Sequence, residues 1–380
     1  MVSFNKPFHT GKEIDYIKQV IGSGNICGNG NFTNKCQSFF IENFGFKNCF
    51  LTTSCTDALE MCALLANIKQ GDEVIVPSYT FVSTAMVFVR QGAKVVFADS
   101  HKENPNINAE IIEPLITPKT KAVVVMHYGG IACDMDRILE IAKKYNLVVI
   151  EDAACAIDSF YISPRTREKK ALGSIGHLSA FSFHETKNIQ CGEGGLLVIN
   201  DEQFSQRAEV IWQKGTNKSA FIRREVDRYD WTDIGSSFLP SEYTAAFLYA
   251  QLQELDVIQN KRKKIWNQYY EGLKDLSIPF SYLPSYTTNN AHLFYLVCNS
   301  YSERNDFIEW LKNNDIQTTF HYSSLQKSDF IRKNTQNTLK NTIMADYYSD
   351  CLVRLPLYYE LNETDVEKTI RIVKEFYKKY

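Results

Sequence analysis

The sequence predicts an α/β protein with a mostly parallel central sheet in a large domain, followed by a smaller α+β domain. Between residues 50 and 200, short runs rich in β-branched residues alternate with segments of helical periodicity. Strands that are apolar on both faces and alternate with helices are typical of a parallel sheet covered on each side. The chain of 380 residues also exceeds the size at which a single core stops growing. We therefore predict two domains, residues 1–250 and residues 251–380.

The elements follow from the runs in chain order. Seven strands are predicted at residues 50–53, 73–77, 93–99, 121–127, 146–152, 178–183 and 194–200. Helical periodicity between them marks residues 57–67, 80–91, 109–116 and 135–145. A long helical stretch at 241–276 leads into the smaller domain, where we predict strands at 292–298 and 316–320 and helices at 302–313, 341–351 and 362–378. Ligand groups are expected at the C-terminal ends of the parallel strands.

Composition argues against several classes of partner. The 42 Lys and Arg residues nearly balance the 44 Asp and Glu residues, which predicts no strong attraction to nucleic acid or to an anionic membrane surface. The ten cysteines form no C-x-x-C pair, so we expect reduced thiols and no metal site. Neither a signal peptide nor an apolar stretch of about 18 residues is found. We expect a cytoplasmic protein.

One lysine has unusual neighbours. The segment FSFHETKNIQCGEGG (181–195) places Lys187 between a strand-like aromatic run and a glycine-rich turn. Ser182 and His184 can donate hydrogen bonds to an anion there, and a lysine in a partly desolvated, cationic pocket can attack a carbonyl. The alternative is a solvated loop lysine.

Two other segments follow strands. In TTSCTDALEM (52–61), small residues precede a helix with Thr56 or Asp57 as the predicted N-cap, so a phosphate can approach the helix amides. An ordinary capped loop is the alternative. The strand at 146–152 ends with Asp152. If this carboxylate is buried, it needs a cation or a hydrogen-bond donor beside it. The alternative is that Asp152 is a helix N-cap in contact with solvent.

The segment SYTFVSTA (78–85) offers a flat ring surface. Tyr79 and Phe81 can each cover a planar ligand, or both can be core aromatics. A phosphate site, an aromatic cover, a carboxylate for a ring nitrogen and an imine-forming lysine together fit pyridoxal 5′-phosphate (PLP). In that interpretation Lys187 holds the aldehyde and moves protons during amino transfer.

At these residues the sequence resembles the DegT/DnrJ/EryC1/StrS family, fold-type I PLP-dependent transferases that aminate nucleotide-linked keto sugars. The matching segments run from end to end: GSGNICGNGNFT, SCTDALEM, GDEVIVPSYTFVSTA, EDAACA, FSFHETKN, GEGG, DIGSS and LPLYY. The resemblance implies that Lys187 forms the imine, that Asp152 pairs with the pyridine nitrogen, and that Phe81 stacks on the ring. It also implies four phosphate ligands: Ser54, Cys55, Thr56 and Ser182.

The chain departs from the family pattern at three places. Cys155 replaces the usual Gln or His near the phenolic oxygen of the cofactor, and a thiol is a poorer donor than an amide. Cys55-Thr56 replaces the family's Gly-Thr. Ser237 stands where the family places an asparagine that reaches the phosphate of the neighbouring subunit. The resemblance implies a homodimer in which both chains build each active site.

The resemblance also suggests a substrate. The chain is most similar to the subgroup that makes dTDP-4-amino-4,6-dideoxy-D-galactose in the segments SCTDALEM, FSFHETKN, KGTN and DIGSSFL. This similarity implies amino transfer from L-glutamate to C4 of dTDP-4-keto-6-deoxy-D-glucose. It also suggests a role in the synthesis of O-antigen or enterobacterial common antigen. Candidate substrate residues are His184, Lys214, His321 and Tyr322, and the pair Arg223-Arg224 is a further cationic candidate or a solvated face.

Several alternatives stay open. Within the same chemistry, they are the C4 gluco epimer and a C3 nucleotide-sugar aminotransferase. A PLP-dependent sugar dehydratase is disfavoured because relatives of that kind replace the lysine with histidine. The alternative of another class is a non-enzymatic protein that binds PLP or a nucleotide sugar.

Overall fold

The computed structural model describes residues 1–334 and 342–379. Its first 200 residues contain the strands β1 (Asn48–Thr52), β2 (Glu73–Pro77), β3 (Lys94–Ala98), β4 (Thr120–Met126), β5 (Val148–Asp152), β6 (Phe160–Ile162), β7 (Lys169–Ala171), β8 (Leu178–Ser182) and β9 (Gly195–Ile199). Strands β6 and β7 pair with each other, and the rest form a seven-stranded sheet in the order β1-β9-β8-β5-β4-β2-β3. Strand β9 is antiparallel to both neighbours, whereas the four other neighbouring pairs are parallel. The predicted mostly parallel sheet is confirmed.

The helices between residues 13 and 273 include those that cover the two faces of the sheet. They are α1 (Glu13–Ser23), α2 (Asn31–Phe44), α3 (Cys55–Leu65), α4 (Ser83–Arg90), α5 (Met135–Tyr145), α6 (Ser205–Trp212), α7 (Lys218–Ile222), α8 (Glu242–Leu252) and α9 (Leu255–Leu273). Along β2 and β4, successive apolar residues join opposite cores: Ile75 and Val123 pack with α2, α5 and α8, whereas Val74 and Val124 pack with α3, α4 and α6. In the described part of the chain, no helix is both long enough and apolar enough to cross a bilayer.

Two predicted helices differ in the structure. The stretch at 241–276 is two helices, because the amide of Gln253 bonds to the carbonyls of Tyr249 and Gln251 and ends the first one. The segment 109–116 forms two short 3-10 turns, Ala109–Ile111 and Glu113–Leu115. Pro114 has no amide proton to continue an α-helix there.

A glutamate from a distant segment caps α2. The N-cap position is Gly30, which has no side chain to accept the free amides of the first turn. The Glu242 carboxylate, 2% exposed, accepts from the amides of Gly30 and Thr33 at 3.0 Å each and from Phe32 at 2.7 Å. The negative charge also suits the positive end of the helix dipole. Glu242 therefore fixes α2 to the start of α8.

The C-terminal part builds a second, smaller sheet. Its strands β10 (Phe294–Val297), β11 (Thr319–Phe320) and β12 (Leu352–Leu355) pair antiparallel in the order β10-β12-β11, with helices α10 (Tyr301–Asn313), α11 (Asp329–Asn334), α12 (Ile343–Cys351) and α13 (Glu363–Lys379). The N-terminal residue Val2 and the C-terminal half of α9 join its core. The prediction of a small α+β unit is confirmed. Residue 341, where we predicted one helix to start, lies outside the described residues.

Candidate active site

Polar side chains gather at the C-terminal edge of the large sheet. Strand β5 ends with Asp152. Strands β1 and β8 end at Thr52 and Ser182, which pair with opposite sides of Gly195 at the start of β9. This register brings the turn after β1, the end of β8 and Asp152 to one edge, which is where ligand groups are expected in parallel sheets.

Asp152 is a buried carboxylate with two hydrogen-bond donors. It is 4% exposed; Thr84 Oγ1 donates to its Oδ2 at 2.6 Å, and the Ala154 amide donates to its Oδ1 at 3.1 Å. Burial raises the pKa of Asp152, whereas the bonds from Thr84 and Ala154 and the charge of Lys187 act to lower it. The alternative of a helix cap in contact with solvent is therefore wrong. The remaining lone pairs of the carboxylate can accept from a cationic group.

The residue before Asp152 anchors the end of the strand. Glu151 is fully buried, bonds to His127 Nε2 at 2.9 Å, and accepts from the backbone amides of Gly173, Ile175 and Gly176. Burial acts to raise the pKa of Glu151, but the bonds from His127 and the amides lower it overall. The Cys133 amide donates to Nδ1 of His127, so the ring proton lies on Nε2 and is donated to Glu151. This network holds the backbone that presents Asp152.

Lys187 lies against a thiol. Its Nζ donates to Sγ of Cys155 at 3.2 Å, and Cys155 is buried. The backbone around Lys187 is a closed turn, in which Phe183 N bonds to Gly194 O and Lys187 N bonds to His184 O at 2.9 Å. This turn places the Lys187 amine against Cys155, close to the end of β5, so Lys187 is not a solvated loop lysine.

Helix α3 begins with free amides. Its N-cap is Ser54, whose Oγ accepts from the Asp57 amide at 3.1 Å, so the predicted cap at Thr56 or Asp57 is wrong by two or three residues. Ser54 has the extended backbone that an N-cap requires. Among the described residues, the amides of Cys55 and Thr56 have no acceptor. Burial raises the pKa of the Cys55 thiol well above its usual value, so the thiol is neutral.

Backbone approaches unusually closely at this helix start. A Cβ on Gly195 would lie 2.5 Å from the Cys55 nitrogen and closer still to the Ser54 carbonyl. Only glycine leaves room for this approach. Thr56 Oγ1 also lies 2.8 Å from Ser83 Oγ, which joins the start of α3 to the start of α4. The amides and hydroxyls of this turn, next to Ser182, therefore form a candidate anion site.

The two candidate aromatic residues have different environments. Tyr79 is fully buried and its hydroxyl donates to the carbonyl of His321, so it is a core aromatic. Phe81 is 55% exposed, and its ring centroid lies 6.2 Å from that of Tyr322. Phe81 is therefore the ring with a face free to cover a ligand.

His321 and Tyr322 come from the small sheet to the same site. The ring of His321 lies 3.7 Å from that of Tyr322, and its Nδ1 lies 3.1 Å from the hydroxyl of Tyr128. Burial raises the pKa of Tyr322, and the nearby Cys155 acts in the same direction. Tyr322 also has a positive φ of 48°, which is uncommon for a bulky residue and indicates that its orientation is imposed by its surroundings.

Other predicted residues lie apart from Lys187 and Asp152 within the chain. His184 is half-buried at the rim, with Nδ1 2.9 Å from the Thr186 hydroxyl. Lys214 and Ser237 are exposed, and Gln213 pairs with Ser237 in a short bridge. Arg223 is neutralised by Glu209 and Glu225, with nitrogen–oxygen distances of 2.7 Å to each. It is therefore not a free cation for a nucleotide.

Three site residues were absent from the sequence prediction. Thr84 donates to Asp152, and its position four residues after Thr80 at a helix start was the available signal. His292 and Arg354 lie beside Lys187 in a small cavity. His292 lies just before β10 and Arg354 lies on β12, and nothing in the sequence of these two segments distinguished them from ordinary sheet residues.

The geometry fits PLP. The cofactor's phosphate suits the candidate anion site, its ring nitrogen suits the buried Asp152, and its aldehyde carbon suits an amine placed like that of Lys187. A buried aspartate, an amine and an anion site on one edge of this sheet define the class of PLP-dependent aminotransferases.

Comparisons with known proteins specify the family. The sequence pattern of the DegT/DnrJ/EryC1/StrS aminotransferase family matches residues 8–374. The uncharacterized protein MJ1066 of Methanocaldococcus jannaschii is 34% identical over 91% of this chain and 90% of its own length. The spore coat polysaccharide biosynthesis protein SpsC of Bacillus subtilis is 31% identical over 99% of this chain and 97% of its own length. The chain therefore belongs to the DegT/DnrJ/EryC1/StrS sugar aminotransferase family.

Solved structures agree on fold and cofactor. Spr1654 of Streptococcus pneumoniae, in its PMP form, superposes with a TM-score of 0.91 at 25% identity, covering 100% of both chains. That protein has also been solved in a PLP form. The fold is that of fold-type I aminotransferases, and the cofactor of this protein is PLP.

Proposed function

We propose that the protein transfers the amino group of L-glutamate to C4 of dTDP-4-keto-6-deoxy-D-glucose and so forms dTDP-4-amino-4,6-dideoxy-D-galactose. The observation that carries the proposal is the placement of Lys187 Nζ beside a buried Asp152 in a sugar aminotransferase fold. SCTDALEM and FSFHETKN support the dideoxygalactose subgroup. SpsC is named for polysaccharide biosynthesis, which agrees with an activated sugar as substrate.

The cofactor-binding roles follow from the environments of the residues. Asp152 keeps the ring nitrogen protonated, because a buried carboxylate favours a cation beside it. The free amides of Cys55 and Thr56, with the hydroxyls of Ser54 and Ser182, hold the phosphate at the start of α3. Phe81 covers one face of the ring. When bound, PLP supplies an aldehyde for amines and an electron sink for the pair left by a departing proton.

Lys187 moves the protons of both halves of the reaction. Its Nζ removes the proton from the α carbon of glutamate and later delivers a proton to C4 of the sugar. The Cys155 thiol, 3.2 Å from Nζ, holds the amine in position by a weak hydrogen bond. The face of the sugar carbon that Nζ reaches decides between the galacto and gluco products.

The sugar site is formed by residues of the small sheet and the rim. His321 and Tyr322 line the side opposite the large sheet, and Tyr322 faces Phe81 across the opening. His184 lies at the rim. Lys214, exposed in the described chain, is the candidate cation for the nucleotide diphosphate of a neighbouring subunit.

The protein works as a homodimer with shared active sites. The segment 221–234 exposes a group of large apolar side chains, of which Trp231 is 78% and Ile234 66% exposed. Such a patch on a chain surface indicates a protein interface. Ser237 follows this segment and is exposed, so it is free to reach the phosphate site of a partner.

Product analysis tests the substrate and the stereochemistry. The protein is incubated with PLP, L-glutamate and dTDP-4-keto-6-deoxy-D-glucose, and the coupling constants around the aminated carbon are assigned by NMR. We expect nitrogen on C4 with an axial arrangement. An equatorial C4 amine would show the gluco enzyme, and no product from this substrate would favour a C3 aminotransferase or a binding protein.

A further inference from the structure

One thiol of the chain contacts a side-chain amine. All ten cysteines lie in the described part of the chain, and all have free thiols. Within that part, Cys155 is the one whose Sγ accepts a hydrogen bond from an amine, that of Lys187 at 3.2 Å. Other buried thiols bond to backbone carbonyls, as Cys133 does to Met126 at 3.4 Å. The pair Cys155 and Lys187 therefore combines two nucleophilic side chains in direct contact.

The backbone on both sides of this contact is fixed by hydrogen bonds. The side-chain amide of Asn290 donates to the carbonyls of Cys155 and Ile157, at 2.8 Å each, and so holds the turn after β5. The Lys187 amide donates to the carbonyl of His184 at 2.9 Å and closes the turn on the other side. The distance of 3.2 Å between Sγ and Nζ lies within the range of about 3–3.5 Å for atoms positioned to react.

A thiol and an amine in this arrangement can be joined by oxidation. A cysteine reacts with peroxide as its thiolate, and an amine beside the thiol can take up the proton that is released. The product is a sulfenic acid, whose sulfur is open to attack by a nearby nitrogen. Cys155 is 5% exposed and Lys187 is half-buried, so a molecule as small as hydrogen peroxide is the oxidant that suits this position.

We propose that Cys155 and Lys187 form an oxidative modification site, in which hydrogen peroxide links Sγ to Nζ as a sulfenamide. In the first step one peroxide oxidises the Cys155 thiol to a sulfenic acid and is reduced to one water molecule. In the second step Nζ attacks the sulfur, the S–N bond forms, and the S–O bond breaks. The hydroxyl group leaves with one proton of the amine as a second water molecule, so the chain loses two hydrogen atoms in all. Two thiol groups of dithiothreitol reduce the S–N bond, restore both side chains and become a disulfide.

The link removes the amine that binds the aldehyde of PLP, so the inference rests on the role proposed for Lys187. While Lys187 is joined to PLP, its nitrogen is not available to attack sulfur, and this form of the protein is protected. Once L-glutamate has aminated the cofactor, Lys187 is free again and lies beside Cys155. The site is therefore sensitive to peroxide in the aminated form and in the apoprotein.

The test compares the full chain in three forms: loaded with PLP, loaded with PLP and pre-incubated with L-glutamate, and free of cofactor. Each form is exposed to hydrogen peroxide, the remaining thiols are blocked with iodoacetamide, and the peptides are mapped by mass spectrometry. We expect a cross-linked pair of peptides that contain Cys155 and Lys187, about 2 Da lighter than the two free peptides together. It should form roughly 10-fold or more slowly in the PLP-loaded protein than in the other two forms. Reduction of the denatured sample should return both free peptides.

Variants separate this link from ordinary thiol oxidation. Cys155→Ser should abolish the cross-link, whereas Cys27→Ser, which removes an exposed thiol, should leave it unchanged. In Lys187→Ala the sulfenic acid has no amine to react with, so it should continue to a sulfinic acid that dithiothreitol does not reduce. Equal yields of sulfinic acid at Cys155 in the wild type and in Lys187→Ala would overturn the proposal. A disulfide between Cys155 and Cys55 in place of the cross-link would also overturn it.

The same experiment distinguishes this site from the proposed function. If the apoprotein forms the cross-link but L-glutamate does not change its rate in the PLP-loaded protein, the role of Lys187 in amino transfer fails while the modification site stands. If the apoprotein stays unlinked although the PLP-loaded protein reacts with L-glutamate, the modification site fails while the proposed function stands.

Discussion

Gly195 is the most direct structural probe of the phosphate site. The substitution Gly195→Ala adds one methyl group at the start of β9, where it would lie 2.5 Å from the Cys55 nitrogen, inside the 3.0 Å that real Cβ contacts require. The neighbours are backbone atoms between β1 and α3, which cannot rotate away. The start of α3 must move by about 0.5 Å or more, and overpacking of this kind typically costs about 1–3 kcal/mol.

The affinity for PLP should report this strain. The apoprotein can relieve the overlap by shifting the turn Ser54–Thr56, and binding of the phosphate must reverse that shift. We therefore expect the dissociation constant for PLP, from fluorescence titration of the apoprotein, to rise roughly 10-fold to 100-fold. Gly22→Ala is the matched control, since no atom lies within 4 Å of its added Cβ. An unchanged dissociation constant in Gly195→Ala would show that the phosphate binds elsewhere.

Three further predictions concern the carboxylates and the dimer. Asp152→Asn removes the buried charge but keeps the size of the side chain, so the glutamate half-reaction, followed by absorbance, should slow by roughly 10²-fold or more; a wild-type rate would contradict the pairing of Asp152 with the ring nitrogen. The folded-state pKa of Glu151 lies below the ordinary 4.5, so its contribution to stability is present above pH 4.5 and is lost as the pH falls through the folded-state pKa. Urea unfolding should accordingly show Glu151→Gln to be less stable than the wild type by about 1–3 kcal/mol at pH 7, with a smaller difference near pH 3.5, whereas a stability difference independent of pH would refute the ionised Glu151 carboxylate. The proposed homodimer predicts that Trp231→Glu shifts the protein from dimer to monomer in analytical ultracentrifugation, because a charge would be buried in an apolar interface; a wild type that is monomeric at micromolar concentration would contradict the proposed homodimer.

The sheet could be predicted because its signal is local. Each parallel strand carries apolar residues on both faces, as Val74 and Ile75 do, and glycine-rich or polar turns separate the runs. The ends of β5 and β8 could therefore be placed at one edge from the pattern alone. Asp152 was a candidate for the site for that reason.

Features that depend on contacts between distant segments could not be predicted in this way. The N-cap of α2 is Glu242, more than two hundred residues away, and Gly30 gives no sign of it. Arg354 looks like an ordinary strand residue, since its place beside Lys187 shows only when the small sheet is folded against the large one. The start of α3 was misplaced because Ser54, Thr56 and Asp57 are all good caps and only the backbone selects one of them.

The central claim is that Lys187 Nζ forms the covalent link to PLP. The protein is loaded with PLP, reduced with borohydride, digested, and the peptides are identified by mass spectrometry. We expect the pyridoxyl group on the peptide that contains Lys187, and no labelling after substitution of Lys187 by Ala. A label on another lysine, or none on a protein that binds PLP, would contradict the claim.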